Sequence, residues 1–202
     1  MSMWQEAVTF LKSRRKVNLA LVVANIVVFI AGAVSVQVTG TDRLMQAGVS
    51  YVPYILGGHE YYRLFTAMFL HFSLTHLLYN MICLLVMGDR LEQTAGPVRY
   101  LVIYFVSGLA GNLLSLEAQL HFSGGSYAMS AGASGAIFGV IGALLASALL
   151  HREQVSRLFI RRLGLMTGLM ILQGFLETGT DNMAHIGGVA AGFVLGLILC
   201  RR

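Results

Sequence analysis

Long apolar segments separated by short polar connections are the main pattern of this chain. The six apolar segments cover residues 17–38, 74–88, 97–116, 132–150, 163–176 and 183–200. The first has roughly 22 residues, and a helix that rises about 1.5 Å per residue crosses a hydrocarbon core about 30 Å thick at that length. The pattern therefore predicts an all-α integral membrane protein with six transmembrane helices and, over residues 17–202, a single domain.

Two more polar regions flank the first apolar segment. In residues 1–16, Trp4, Val8 and Leu11 recur at helical spacing before a basic cluster, which predicts a short amphipathic helix at the membrane surface. A basic start before an apolar run also resembles a signal peptide, but residues 17–38 are long enough to span and lack a convincing cleavage site. We expect this segment to be retained as the first span.

The first loop, residues 39–73, is too polar and too interrupted to span, yet it is rich in aromatic residues. Aromatic rings with occasional charges favour the headgroup region. We therefore expect this loop to lie partly in the membrane interface.

Composition excludes other classes of protein. Hydrophobic residues make up 56% of the chain and charged residues 11%, which is too apolar for a soluble domain. The net charge of +5 falls in short clusters between apolar segments, as topology signals do, so we do not expect nucleic-acid binding. Two cysteines, Cys83 and Cys200, are too few and too poorly placed for a disulfide framework.

Basic residues predict the orientation. Of the 14 Lys and Arg residues, twelve fall in the head, in the second-to-third and fourth-to-fifth connections and in the tail. The opposite side holds Arg43 and Arg63 alone. Because positive charge is retained in the cytoplasm, both termini are predicted to be cytoplasmic.

Four polar residues are predicted to lie at similar depth in the outer half of the membrane. Counted from the cytoplasmic helix ends, Ser134 lies about 24 Å up, His185 about 22 Å and His76 about 18 Å, with Asn80 one turn below His76. A single buried histidine is more often satisfied by a backbone carbonyl. Four such groups at one depth, where unpaired polar groups are costly, indicate a functional site.

Glycines offer a way to assemble that site. Gly188, Gly192 and Gly196 form a stripe on the sixth segment, and Gly135 and Gly139 form another on the fourth. Such stripes permit close helix packing, which in an arbitrary membrane protein is also the commoner explanation of glycines around a serine. Here they can bring His185 within the roughly 2.6 to 3.2 Å needed to take a proton from Ser134.

The chain resembles the rhomboid intramembrane serine proteases of the minimal six-span bacterial type. The resemblance covers nearly the whole chain and rests on three motifs in order: the GxSG motif at Gly132-Ala133-Ser134-Gly135, the HxxxN motif at His76-Leu77-Leu78-Tyr79-Asn80, and Ala184-His185-Ile186-Gly187-Gly188 at the start of the last segment. The resemblance implies a six-helix rhomboid-like bundle. It also implies cleavage of transmembrane segments of membrane proteins near their outer ends.

The resemblance also implies residue roles. Ser134 is expected to be the nucleophile and His185 the general base, with the Ser134 N–H, His76 and Asn80 forming the oxyanion hole. Arg63 in Tyr62-Arg63 and Glu92 are expected to be structural, and His71 matches a further frequent histidine. Asp181 is better placed to cap the last helix than to complete a triad. The expected supporting residues are Gly132, Gly135, Phe138 and Gly188.

Other functions remain as alternatives. A rhomboid-like protein without catalysis, which binds and escorts membrane proteins, typically lacks the serine or the histidine. A small transporter or proton channel is disfavoured by the absence of an inverted repeat and of an intramembrane acidic relay. We expect no cofactor and no metal, transmembrane proteins and membrane lipid as partners, and a bacterial inner membrane as the location. The sequence leaves the oligomeric state open.

Overall fold

The computed structural model describes residues 15–153, 155–177 and 179–201. The predicted surface helix within residues 1–16 lies almost wholly outside the described residues. The described helices are α1 Lys16–Thr39, α2 Arg43–Gly48, α3 Arg63–Thr66, α4 Leu74–Cys83, α5 Asp89–Ala95, α6 Pro97–Phe122, α7 Ser134–Leu150, α8 Arg157–Leu176 and α9 Asn182–Leu199.

Shorter helical turns join several of these elements. A wide turn, Pro53–Gly57, lies between α2 and α3, and a tight turn, Ala67–Phe69, follows α3. Another wide turn, Leu84–Gly88, joins α4 to α5 without a break in the helical path. Asp42, Ser73, Ser156 and Asp181 cap the helices that follow them, since each side chain accepts a hydrogen bond from a first-turn N–H.

Four or five of the described helical segments are long and apolar enough to span a membrane. α1, α6, α8 and α9 are each long and apolar enough to cross a membrane. The segment Arg63–Phe69 together with Leu74–Ala95 passes the same test but is bent by 88°, so the count is four, or five if this pair forms one span. α7 is apolar but has 17 residues.

α7 is the central helix. Thirteen of its 17 residues are buried, and it packs chiefly against α9 and α6. By contrast, α1 buries only five of 24 residues and turns most of its apolar surface outward, as a helix in contact with lipid does. The Ser134 end of α7 is thereby held in the middle of the helical bundle.

A buried polar cluster joins α1 to α5 and α6. The Glu92 carboxylate accepts a hydrogen bond of 2.7 Å from the backbone N–H of Asn18, whose side-chain oxygen accepts one of 2.6 Å from the Tyr100 hydroxyl. Buried polar groups are costly unless they are paired, so this cluster fixes how α1 docks. Glu92 accordingly has a structural position, as expected.

The first loop is ordered by Arg63. Its guanidinium donates to the backbone oxygens of Gln46 and Val49 and to the Glu60 carboxylate, and its side chain is 6% exposed. One planar group thus ties three parts of the loop together. Ser50 adds a second tie, because its backbone pairs with that of Ser130 in the connection that leads into α7.

Candidate active site

Ser134 and His185 come together at the adjoining ends of two helices. Ser134 is the first residue of α7, and His185 lies in the first turn of α9. The distance from Nε2 of His185 to Oγ of Ser134 is 2.9 Å, which is a hydrogen bond. His185 is 8% exposed, so this contact is largely screened from the surroundings.

Close backbone packing brings the two helices to this distance. A Cβ atom at Gly188 would lie 2.0 Å from the backbone oxygen of Gly135, and one at Gly192 would lie 2.0 Å from that of Gly139. α9 is also packed closely on α6, since a Cβ atom at Gly111 would lie 2.5 Å from the backbone oxygen of Ala184. The small residues on these faces therefore determine the height and separation of Ser134 and His185.

The imidazole of His185 is held by stacking. The ring of Phe138, one turn beyond Ser134 on α7, lies 4.3 Å from it between centroids at an interplanar angle of 18°. Nδ1 of His185 is buried and has no hydrogen-bond partner among the described residues. Within that part of the chain, the serine and histidine form a pair without a third polar member on Nδ1.

His76 and Asn80 lie on α4 and face the same region. Gly132 allows the close approach of His76, because a Cβ atom there would lie 2.9 Å from Nε2 of His76 and 3.6 Å from Oγ of Ser134. The backbone φ of +140° at Gly132 is also one that favours glycine. Asn80 lies one turn beyond His76 on α4, and its Nδ2 is buried without a hydrogen-bond partner among the described residues, so this amide donor is free.

His71 packs against His76. The two imidazole centroids are 5.0 Å apart in an edge-to-face arrangement, and His71 is 4% exposed. Phe72 stacks on the His76 ring as well. These aromatic contacts restrict the orientation of His76.

Asp181 has the helix-capping role that was predicted from the sequence and, in addition, two serine partners that were not predicted. Its carboxylate accepts from the N–H of Ala184, as the predicted helix cap requires. It also accepts hydrogen bonds of 2.5 Å from the hydroxyls of Ser115 on α6 and Ser130 before α7. Neither serine stood out in the sequence, because a serine in an apolar helix or a glycine-rich connection has many ordinary roles.

No group of three or more His, Cys, Asp or Glu side chains suited to a metal occurs among the residues that the structure describes. The groups that the structure brings into contact at this location are the Ser134 hydroxyl and the His185 imidazole. Fold and site together define an all-helical integral membrane protein with a serine–histidine pair at the adjoining ends of two packed helices.

Comparison with known proteins gives the family. The Rhomboid domain model matches residues 58–202. The chain is 33% identical over 192 residues to Rhomboid protease GluP of Bacillus subtilis, which covers 93% of this chain and 36% of GluP. It is 38% identical over 163 residues to RHOMBOID-like protein 1 of Arabidopsis thaliana, covering 79% of this chain and 40% of that protein.

A third relative is Rhomboid-like protease 3 of Toxoplasma gondii, which is 33% identical over 181 residues, covering 87% of this chain and 66% of the relative. The chain thus spans less than half the length of the Arabidopsis and Bacillus relatives. The matched domain and these identities show that the chain belongs to the rhomboid family, and the expected resemblance is confirmed.

Proposed function

We propose that this protein is an intramembrane serine endopeptidase in which Ser134 is the nucleophile and His185 the general base. The observation that carries the proposal is the 2.9 Å contact between Nε2 of His185 and Oγ of Ser134. In the neutral imidazole with its proton on Nδ1, Nε2 accepts the serine hydroxyl proton. Burial of the ring favours that neutral state.

The oxyanion would be held by three donors. A first-turn N–H of a helix has no partner within the helix, which leaves the Ser134 N–H available. The imidazole of His76, which approaches Ser134 at Gly132, and the free Nδ2 of Asn80, one turn further along α4, would supply side-chain donors. Donors already in place stabilise developing negative charge without reorganising during the reaction.

The reaction we propose is acyl transfer to water. Oγ of Ser134 attacks the peptide carbonyl carbon as His185 takes the hydroxyl proton, giving a tetrahedral intermediate. His185 then donates that proton to the departing amine, the C–N bond breaks, and an acyl-enzyme ester remains. Water deprotonated by His185 attacks the ester, and the proton returns to Ser134 as the carboxylic acid product leaves.

The substrate class we propose is the transmembrane segments of other membrane proteins, cleaved near their outer ends. Ser134 and His185 both lie at helix starts, and the basic-residue pattern favours a cytoplasmic position for the opposite ends of α7 and α9. A helical peptide bond is shielded by its own hydrogen bonds, so the segment must unwind locally. Small or helix-breaking residues near the cleaved bond would ease that step.

We also propose a six-span arrangement in a bacterial inner membrane, and the basic-residue pattern supports cytoplasmic positions for both termini. In this arrangement α7 would be a short span surrounded by other helices, and the bent pair would form the second span. A buried helix has no need to match the full thickness of the lipid, which suits the 17 residues of α7.

Reconstitution tests the proposed function. The full chain is placed in lipid vesicles with a single-span substrate whose outer end carries glycine residues, and the products are identified by mass spectrometry. We expect one cleavage near the outer end, abolished by Ser134→Ala and by His185→Ala. Retention of the uncleaved substrate by the folded wild-type chain would instead favour the binding and escort function, and ion flux that survives Ser134→Ala would favour the channel.

A further inference from the structure

A cavity of about 670 Å³ opens where α7 ends and α8 begins, at the opposite end of α7 from Ser134. Two of its lining residues, Leu149 and Ile160, are apolar. The others are charged: Arg152, Glu153, Arg157 and Arg161. A lining of this kind fits a ligand with an anionic group joined to an apolar body.

The three arginines converge from two elements. Arg157 and Arg161 are four residues apart and share one face of α8, while Arg152 comes from the preceding turn. None of the three forms a salt bridge with another of the described residues. Glu153 offsets one positive charge, so the cavity carries a net positive charge that favours an anion.

We propose that this cavity binds the phosphate group of an anionic phospholipid. A guanidinium presents a fork of N–H donors that matches phosphate oxygens, and basic pockets between membrane helices bind anionic headgroups. The apolar residues Leu149 and Ile160 then lie beside the start of the acyl chains. The exposed apolar side chains of α8, which include Leu165, Leu169 and Leu172, continue this surface along the helix.

The bound phosphate would hold the beginning of α8 in place. This helix packs loosely, since Leu163, Thr167 and Gly174 are its only buried members among the described residues. A Cβ atom at Gly164 or Gly168 would meet nothing within 4 Å. A phosphate bridging Arg152 to Arg157 and Arg161 would therefore tie the turn after α7 to α8, a connection that side-chain packing provides only weakly.

Adjacent arginines give a matched comparison. Arg161 lines the cavity, whereas Arg162, which is also exposed on the same helix, does not. The full chain is purified in detergent, supplied with phosphatidylglycerol, and the retained lipid is counted by native mass spectrometry. We expect Arg161→Gln to lower retention about fivefold relative to Arg162→Gln, the effect of one arginine near a phosphate. Equal retention by the two variants would overturn the proposal.

Two further arms identify the ligand. Phosphatidylcholine should be retained less than phosphatidylglycerol, and excess inorganic phosphate should leave the retained phosphatidylglycerol in place. Displacement by inorganic phosphate would mean that the cavity binds free phosphate. Equal retention of both lipids would mean that the cavity has no preference for an anionic lipid. Either result overturns the proposal. If Arg161→Gln unfolds the protein, Arg157→Gln replaces it in the same comparison, because Arg157 also lines the cavity.

Discussion

Gly188 of α9 lies directly against the backbone of Gly135 of α7, so closely that a Cβ atom at Gly188 would be 2.0 Å from the Gly135 oxygen. Gly135 follows Ser134, and Gly188 is three residues beyond His185. The contact therefore sets the distance between the proposed nucleophile and base. A change at this contact should alter both stability and chemistry.

Gly188→Ala should destabilise the protein by about 1–3 kcal/mol, because the added carbon forces the helices apart. The matched control is Gly164→Ala on α8, where a Cβ atom meets nothing within 4 Å and alanine favours the helix. Thermal unfolding in detergent should show a lower midpoint for Gly188→Ala and an unchanged or slightly higher one for the control. A wild-type midpoint for Gly188→Ala would contradict the packing described.

Asn80→Ala should slow cleavage about 100- to 1,000-fold with little loss of stability. The expected loss is that of one oxyanion donor, and the amide nitrogen of Asn80 has no described partner whose hydrogen bond would be lost. Asn112→Ala is the control, since Nδ2 of Asn112 donates a 2.6 Å hydrogen bond to the Leu64 oxygen. That change should cost about 1–3 kcal/mol of stability. Cleavage rates and unfolding midpoints are measured for both variants. Full activity in Asn80→Ala would contradict a role for Asn80 in the oxyanion hole.

Asp181→Asn should retain most of the activity. Its side-chain oxygen can still accept from Ala184, and the hydroxyls of Ser115 and Ser130 can rotate to accept from its N–H groups. Asp181→Ala removes the cap, which costs about 0.5–2 kcal/mol, and should lower the unfolding midpoint. A loss of cleavage in Asp181→Asn as large as that in Ser134→Ala would instead make Asp181 a third catalytic member.

Glu60 should make the stability of the first loop depend on pH. Hydrogen bonds from the Tyr62 hydroxyl and from Arg63 hold the pKa of this carboxyl below its ordinary value of 4.5. The stabilisation is present above the unfolded pKa and is lost as the pH falls through the lowered folded pKa. Unfolding midpoints measured across this acid range should fall more steeply for the wild type than for Glu60→Gln. Parallel curves for the two proteins would contradict the assignment.

Helix positions followed well from the sequence, whereas several helix ends did not. α1 matches the predicted segment 17–38 to within one residue at each end, because no charged residue interrupts it. α6 continues six residues beyond the predicted end at 116, and α8 begins six residues before the predicted start at 163. In both cases a charged residue, Glu117 or Arg162, adjoins the predicted bound. Charge ends a lipid-buried segment, but a helix continues through it at the membrane surface.

Some residues of the candidate site could likewise be predicted from the sequence, and others could not. Ser134, His185, His76 and Asn80 stood out because they were predicted to lie at similar depth in the apolar segments and because they match three motifs. Ser115 and Ser130 did not, since their common partner Asp181 is 66 and 51 residues away along the chain. Hydrogen bonds between residues so distant in sequence depend on the tertiary fold, which periodicity and motif spacing do not specify.

Labelling with a fluorophosphonate tests the central claim, that His185 activates Ser134. The reagent phosphonylates a serine oxygen that has been made nucleophilic by a neighbouring base. We expect the purified, folded protein to be labelled on Ser134, and both Ser134→Ala and His185→Ala to remain unlabelled while keeping the wild-type unfolding midpoint. Absence of labelling in the folded wild type, or labelling that persists in His185→Ala, would contradict it.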